Sequence, residues 1–289
     1  MNTSRNTVVL LPNMTKRIDE SLVQNLLCRM KQCGCTIRIS EEAAEKFSCF
    51  DGCVFCASDV ELFRGADVII VLGGDGSMIE AARRSVGLGI PIAGINFGRL
   101  GYLTEIEINE LELVDFILSG GGTIEKRIML DVSIQRAGQV IMAEIPALND
   151  VVLTNGPVSK LLSFELHCNG ELVEHCFADG MILSTPTGST AYSLAAGGPV
   201  LDPCLDCICS TPICPQTMNN RPVIFGGNSV LEFRNMKCPG NAMYLSVDGR
   251  EAIELFEDDV VRVAHSAYTT SLIRVKDGGF LKSLRLKLS

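Results

Sequence analysis

The 289-residue sequence has no apolar run approaching the roughly 18 residues that a membrane-spanning helix needs, so no membrane partner is expected. Its opening residues, Met-Asn-Thr-Ser-Arg-Asn, carry no signal-peptide pattern, and the expectation is a cytoplasmic protein. Positive charge is in deficit. With 25 Lys and Arg against 34 Asp and Glu, the formal net charge is −9, which argues against a nucleic-acid partner. An acidic chain that binds an anionic nucleotide must build locally positive sites from helix ends, single basic residues or a bound metal. Histidine is also scarce. His167, His175 and His265 are the only three, and none lies in a glycine-rich loop, so a carboxylate is the available base there. Internal repeats and low-complexity segments are absent.

Cysteine, by contrast, is plentiful. The thirteen include Cys33-x-Cys35, Cys53-x-x-Cys56 and Cys204-x-x-Cys207-x-Cys209. An odd count without an export signal favours reduced thiols. A zinc site would draw on Cys33, Cys35, Cys53 and Cys56, but Cys35 sits in an apparent strand, whereas zinc ligands usually come in Cys-x₂₋₄-Cys pairs on loops. Buried, small, apolar thiols are expected instead, with no direct protein ligand for a metal.

The chain is organised around residues 68–77, Val-Ile-Ile-Val-Leu-Gly-Gly-Asp-Gly-Ser. A β-branched run predicts a buried parallel strand, and the pattern Met78-Ile79-Glu80-Ala81-Ala82-Arg83-Arg84 predicts a helix after it. Between them, Gly73, Gly74 and Gly76 let backbone N–H groups approach an anion, and with Ser77 they form a phosphate loop at a helix N-terminus. Asp75 is the odd member, since a carboxylate repels phosphate unless it binds a metal or takes a proton. Alternatively, this is a plain strand-to-helix turn with Asp75 as a local cap.

Strands and helices alternate up to residue 122. A strand at 7–11 precedes a helix capped by Thr15, with apolar positions Ile18, Leu22, Leu26, Leu27 and Met30. A strand at 35–39 leads to an acidic helix capped by Ser40. A helix at 76–86, a strand at 90–95, a second glycine-rich loop (Asn96-Phe97-Gly98-Arg99-Leu100-Gly101-Tyr102) and a helix at 110–118 follow. This order calls for a doubly wound, Rossmann-like α/β domain with ligands outside the strand C-termini. Beyond residue 122 the pattern is all-β, with strands at 128–135, 139–146, 151–154 and 162–168 and a type I′ hairpin at Asn169-Gly170. Five more strands follow by residue 264, which predicts an antiparallel β-sandwich. The domains are placed at 1–124 (α/β), 125–267 (β-sandwich) and 268–289, a tail of helical and apolar character returning to the first domain.

Within the β domain, Ser184-Thr185-Pro186-Thr187-Gly188-Ser189-Thr190-Ala191-Tyr192-Ser193 joins a strand to a helical pattern. Two readings stay open. It is an N-capping loop, or a second ligand loop whose hydroxyls face a polar group while Tyr192 offers a ring for stacking.

Taken together, the chain resembles the NAD kinases over nearly its whole length. The matching motifs, in order, are Gly73-Gly74-Asp75-Gly76-Ser77, Asn96–Leu103, Ala147-Leu148-Asn149-Asp150, Asp179-Gly180 with 184–192, and Pro212-Ile213-Cys214-Pro215 with Asn220-Arg221-Pro222. The first is shared with phosphofructokinases and with diacylglycerol and sphingosine kinases; the 184–193 block is the selective one. The resemblance implies an ATP-dependent kinase that phosphorylates the 2′-hydroxyl of the adenosine ribose of NAD, giving NADP. ATP, or polyphosphate in its place, and NAD are its substrates, and Mg²⁺ or another divalent cation bridges the donor phosphates. It implies Asp75 as the proton acceptor, with Gly76 and Tyr102 beside the nucleotide and Asn149 and Asp150 holding ribose and amide groups. Lys160 would lie near a phosphate. Asp179, Thr190, Ala191, Tyr192, Ser193, Leu194 and Ala195 would bind the adenine half, with Arg250 joining the site near Asp248-Gly249. It further implies a homodimer or homotetramer in which a neighbouring subunit completes the adenine site. Phe97, Gln216, Arg250 and Phe177 stand where Thr, His, Gln and Arg are common in the family. Competing readings are a lipid or sugar kinase sharing the glycine loop, and a non-catalytic dinucleotide sensor.

Overall fold

A computed structural model describes residues 6–16, 19–98, 101–156, 161–217, 220–236, 242–276 and 278–288. The chain forms two compact units, Met1–Lys126 with Thr270–Ser289, and Arg127–Thr269. Among the described residues no helix is long and apolar enough to cross a membrane.

In the first unit the strands lie in the order Val54–Cys56, Thr36–Ser40, Thr7–Pro12, Val68–Leu72, Ile92–Asn96, every pair parallel. Leu272 of the long strand Val260–Arg274 then pairs with Ile92. All five residues of Val68–Leu72 are buried, as a strand covered on both faces requires. The order reverses between Thr7–Pro12 and Val68–Leu72, because the chain first builds outward to one side and then returns to start the other. That reversal is the topological switch point, where open α/β sheets bind ligands at the strand C-termini. Asn13 and Gly73 follow these two strands directly.

The helices differ from expectation in their caps. Glu20–Gln32 is capped by Asp19, whose side chain accepts from the amides of Ser21 and Leu22. Thr15 does not cap it, because its amide and hydroxyl both donate to Asn13 Oδ1 at 2.8 Å. Ser40 caps Glu41–Lys46 as the sequence predicts. The stretch expected at 110–118 divides into a 3₁₀ turn, Ile108–Glu110, and the helix Glu112–Leu118. Two short elements, the edge strand Val54–Cys56 and the helix Asp59–Phe63, have no counterpart in the sequence reading. The expected helical tail is corrected as well. Residues 268–274 complete the strand Val260–Arg274, and the helix Gly279–Leu288 starts later.

The second unit packs two antiparallel sheets. One runs Val223–Gly226, Cys207–Ile213, Gly180–Ser184, Asp150–Asn155, Met243–Val247, Ile253–Leu255. The other contains Glu171–Ala178, Leu162–Cys168, Leu231–Asn235 and Val260–Arg274, together with Thr123–Arg136 and Gln139–Ala147. Inward residues of both interleave in one core, with Phe164, Leu166, Phe233 and Val261 meeting Leu153, Met181, Leu183 and Leu245. Asn169 (φ 53°) and Gly170 (φ 84°) make the hairpin turn, both left-handed as type I′ demands.

Candidate active site

The glycine loop sits at the switch point. Gly73 donates its amide to Ile95 O at 2.9 Å, which leaves the loop in contact with the strand end next to it. A side chain at Gly73 would overlap Ser77 Oγ, so the turn closes only on glycine. Ser77 in turn accepts from Asn13 Nδ2 at 2.8 Å, while Asn13 Oδ1 takes the Lys16 amide at 3.0 Å. Lys16 thereby lines a small recess with Asn13, Gly73, Gly74, Asn96 and Gly98. Asn13 and Lys16 escape the sequence reading. Their only signal was position, just past a strand end at the reversal of sheet order.

Asp75 opens the helix Asp75–Arg84 but does not cap it. Its carboxylate reaches into the second glycine loop, where Oδ2 accepts from the Tyr102 amide at 2.8 Å and Oδ1 from Leu103 at 2.9 Å and Thr104 at 3.4 Å. Arg99 and Leu100 of that loop lie outside the described residues. The local-cap alternative is therefore replaced by a long-range clamp between the two glycine loops. With its side chain 32% exposed, Asp75 is held firmly and yet open to a ligand. Gly101 makes the clamp possible, because a Cβ there would overlap Asp75 Oδ1 and Thr104. Gly101→Ala is accordingly expected to keep the fold but push the carboxylate off its amides. A displacement of about 1 Å at a reacting group costs roughly 10²-fold in rate. Steady-state turnover beside a thermal melt checks this, and wild-type kcat in the variant would refute it.

In the second unit, three chain segments meet around Asn149. Asp248 accepts from the amides of Leu148 (2.7 Å), Asn149 (2.8 Å) and Asp150 (3.1 Å). Thr185 donates its amide to Asn149 O at 2.8 Å and its hydroxyl to Leu148 O at 2.6 Å. Any side chain at Gly188 would overlap Asn149 O. The Asn149 side-chain oxygen is buried with no hydrogen-bond partner among the described residues. Asp150 opens the strand Asp150–Asn155. Burial, and secondly the Asp248 charge, push its carboxyl up to about 7. Burial raises Asp248 as well, but its three amide bonds pull the other way, so Asp248 is the member of the pair that carries the charge.

The hydroxyls of the 184–193 block are used mostly within the protein. Ser189 Oγ donates to Pro186 O at 2.7 Å, Thr190 Oγ1 to Thr187 O at 3.2 Å, and Ser193 shares a 2.8 Å bond with Thr211. They shape the loop by bonding to carbonyls and to Thr211, and they cap neither Gly188–Thr190 nor Tyr192–Ala195, so the capping-loop reading does not hold for these side chains. Tyr192 and Ala195 of the four-residue helix Tyr192–Ala195 face outward, with Ala191 and Leu194 half-buried. Asp179 Oδ1 takes Asn155 Nδ2 at 3.4 Å. Arg250 donates to Pro146 O at 2.8 Å and to Val247 O at 3.2 Å, so two of its donors serve the main chain. Lys160 lies outside the described residues. Among the described residues, no group of three or more His, Cys, Asp or Glu side chains could hold a metal ion. The twelve described cysteines are free thiols, and burial pushes Cys35 and Cys53 up to about 11.

Family models match both units of this arrangement, the ATP-NAD kinase N-terminal domain over residues 8–118 and the ATP-NAD kinase C-terminal domain over residues 148–275. The chain belongs to the NAD kinase family. It is 38% identical over 281 residues to the NAD kinase of Symbiobacterium thermophilum, covering 97% of this chain and 98% of that protein. With the NAD kinase of Geobacter sulfurreducens it shares 41% over 224 residues, 77% of this chain and 78% of that one. A solved yeast NADH kinase in complex with NADH superposes with TM-score 0.88 at 21% identity, over 98% of this chain and 87% of the yeast chain. An NAD kinase from Archaeoglobus fulgidus in complex with ATP gives 0.74 at 22% identity, over 98% of each chain. At those identities the two structures speak for the fold.

Proposed function

We propose that Asp75 is the proton acceptor with which this chain, an ATP-dependent NAD kinase, turns the 2′-hydroxyl of the adenosine ribose into a nucleophile. The observation that carries this is the placement of Asp75. Its carboxylate is pinned at a helix N-terminus between two glycine loops and remains one-third exposed. In the reaction the hydroxyl proton passes to a carboxylate oxygen. The 2′-oxygen bonds to the terminal phosphorus of ATP as that phosphorus releases the bridging oxygen, leaving ADP and NADP. A carboxylate suffices as acceptor because phosphoryl transfer is mainly positioning and charge neutralisation. The N-terminus of Asp75–Arg84 offers amides to the phosphates, the Gly73 and Ser77 amides being bonded to Ile95 O and Gly74 O, and Lys16 supplies positive charge at the recess. A divalent cation carried on the phosphates would add neutralising charge, and Asp75 is the carboxylate of the loop that faces that chemistry. Asn149 and Asp150 hold polar groups of the dinucleotide. The test is formation of NADP from ATP and NAD by Asp75→Asn; wild-type turnover would defeat the assignment.

Lys16→Met is a second, smaller test. A charge-assisted contact from an exposed lysine is worth about 1 kcal/mol, so KM for ATP should rise roughly fivefold with kcat little changed. The effect should shrink in high salt. An unchanged KM for ATP at low salt would remove Lys16 from the phosphate site.

A further inference from the structure

The acidic residue in the phosphate loop poses a problem that its amide clamp does not fully solve. Three N–H dipoles hold Asp75 in place, but they leave its negative charge beside the polyphosphate it must work on. A cation answers it, delivered by the last helix of the chain. The segment leading into that helix is fastened next to the second glycine loop, since Glu105 accepts from the amides of Val275 (2.8 Å) and Lys276 (3.1 Å) and Glu110 pairs with Lys276. In Gly279–Leu288, Phe280 and Lys287 lie seven positions apart, two turns along one face. Both meet Tyr102. The Phe280 ring stands 6.5 Å from the Tyr102 ring, and Lys287 Nζ lies 3.7 Å from the Tyr102 centroid. The same ammonium is 3.9 Å from Asp75 Oδ2.

We propose that Lys287 is a positioning residue for phosphoryl transfer, an ammonium held on the face of Tyr102 whose charge lets the Asp75 carboxylate and the donor phosphates occupy one site. This rests on Asp75 being the proton acceptor. The mechanism is electrostatic and adds no covalent step. Lys287 offsets the repulsion between carboxylate and phosphate on binding, and it stays within Coulomb range as the proton moves to Asp75 and charge shifts onto the leaving group. Tyr102 serves as its platform through a cation–π contact. The titratable groups facing Lys287 are the Asp75 carboxylate and the Tyr102 phenol; Lys282 and Arg285 share its helix. Burial lowers the Lys287 amine below its ordinary value, although Asp75 opposes this, whereas burial raises the Tyr102 phenol. Burial thus moves both groups toward their uncharged forms.

The experiment measures kcat and KM for ATP across about pH 6 to 10.5, a window spanning the ordinary lysine range. It uses the wild-type chain, Lys287→Met, Lys287→Arg and Asp75→Asn, with a thermal melt at each pH. The wild type should lose turnover on an alkaline limb below 10.5, the ordinary value of a lysine amine. Lys287→Arg, which does not titrate there, should keep most of the turnover and lose the limb. Lys287→Met should lack the limb, raise KM for ATP and lose about tenfold in kcat at neutral pH, less than the roughly 10²- to 10³-fold lost with an oxyanion-hole donor because the site is partly open. A Lys287→Met variant with wild-type kcat, or one that keeps the alkaline limb, overturns the proposal. So does a loss of turnover that tracks a fall in Tm and is not rescued by arginine, since that is helix anchoring alone. If Asp75→Asn is inactive while Lys287→Met is unimpaired, only this inference fails. If Asp75→Asn turns over normally, the acceptor assignment fails first.

Discussion

Asp75→Asn should lower kcat by roughly 10²- to 10⁴-fold, the range for removal of a general base, while the chain still folds and binds NAD. The structure gives Asp75 two duties, and the experiment has to separate them. As an acceptor of the Tyr102, Leu103 and Thr104 amides it fixes the second glycine loop. Asparagine keeps one oxygen but presents an NH₂ group to at least one of those donors. A buried or half-buried amide left without an acceptor costs about 1–3 kcal/mol, which at this chain length lowers Tm by several degrees. The acceptor role costs more, about 3–5 kcal/mol of transition-state stabilisation at 1.4 kcal/mol per decade. Gly101→Ala is the control, since it disturbs the clamp and keeps the carboxylate. If the two variants lose turnover equally and share the same drop in Tm, Asp75 is an anchor. If Asp75→Asn is slower by a further tenfold or more, proton acceptance is its second role.

How much of this could be read from the chain alone depends on how local each feature is. Val68–Leu72 was legible because a fully buried parallel strand has to be a continuous β-branched run, and its glycines punctuate it. The Asn169-Gly170 hairpin was legible because its two positive φ values demand those residue types. The cap of the first long helix was not. Thr15 and Asp19 are both good capping residues, and the choice was made by Asn13, whose side chain had already taken the Thr15 hydroxyl. Val54–Cys56 is a three-residue edge strand with Val54 and Phe55 exposed, too short to show a period. Residues 268–274 belong to a strand whose partners, among them Ile92 opposite Leu272 and the strand Thr123–Arg136, lie far away in sequence. The site follows the same rule. Asp75, Tyr102, Asn149 and Asp150 stand in motifs, so their types and spacing were visible. What Asp75 bonds to was not, because its partners lie 27–29 residues away. Lys16 and Lys287 carry no motif at all, and nothing in their neighbours' identities separates them from surface lysines. The hydroxyls of the 184–193 block were visible as types, but their acceptors, mostly main-chain carbonyls of the same loop, were not.

Asp150→Asn should stabilise the second unit at pH 8 and do almost nothing at pH 4. Asp150 is 6% exposed and faces Asp248, the carboxylate that already holds three amides. Its carboxyl is pushed up from 3.8 to about 7 by burial, and next by the Asp248 charge. Below about pH 4 the native and unfolded chains both hold this proton, and the group adds no pH dependence. Between about 4 and 7 only the native chain holds it, so the unfolded state binds fewer protons and stability falls as pH rises. Above 7 the penalty is complete. At about 1.4 kcal/mol per unit, a rise of this size sets a ceiling on the order of 4 kcal/mol, and relaxation around the pair should leave about 2–4 kcal/mol to recover. Asparagine removes that penalty together with the repulsion from Asp248, so the gain in Tm should be several degrees at pH 8 and should vanish toward pH 4. The same substitution should raise KM for NAD, because Asp150 is proposed to hold a polar group of the dinucleotide. Thermal melts of both chains from about pH 4 to 8 decide the matter. A variant destabilised equally at every pH would show that the Asp150 carboxylate is satisfied as an anion and that the burial penalty is not there to recover.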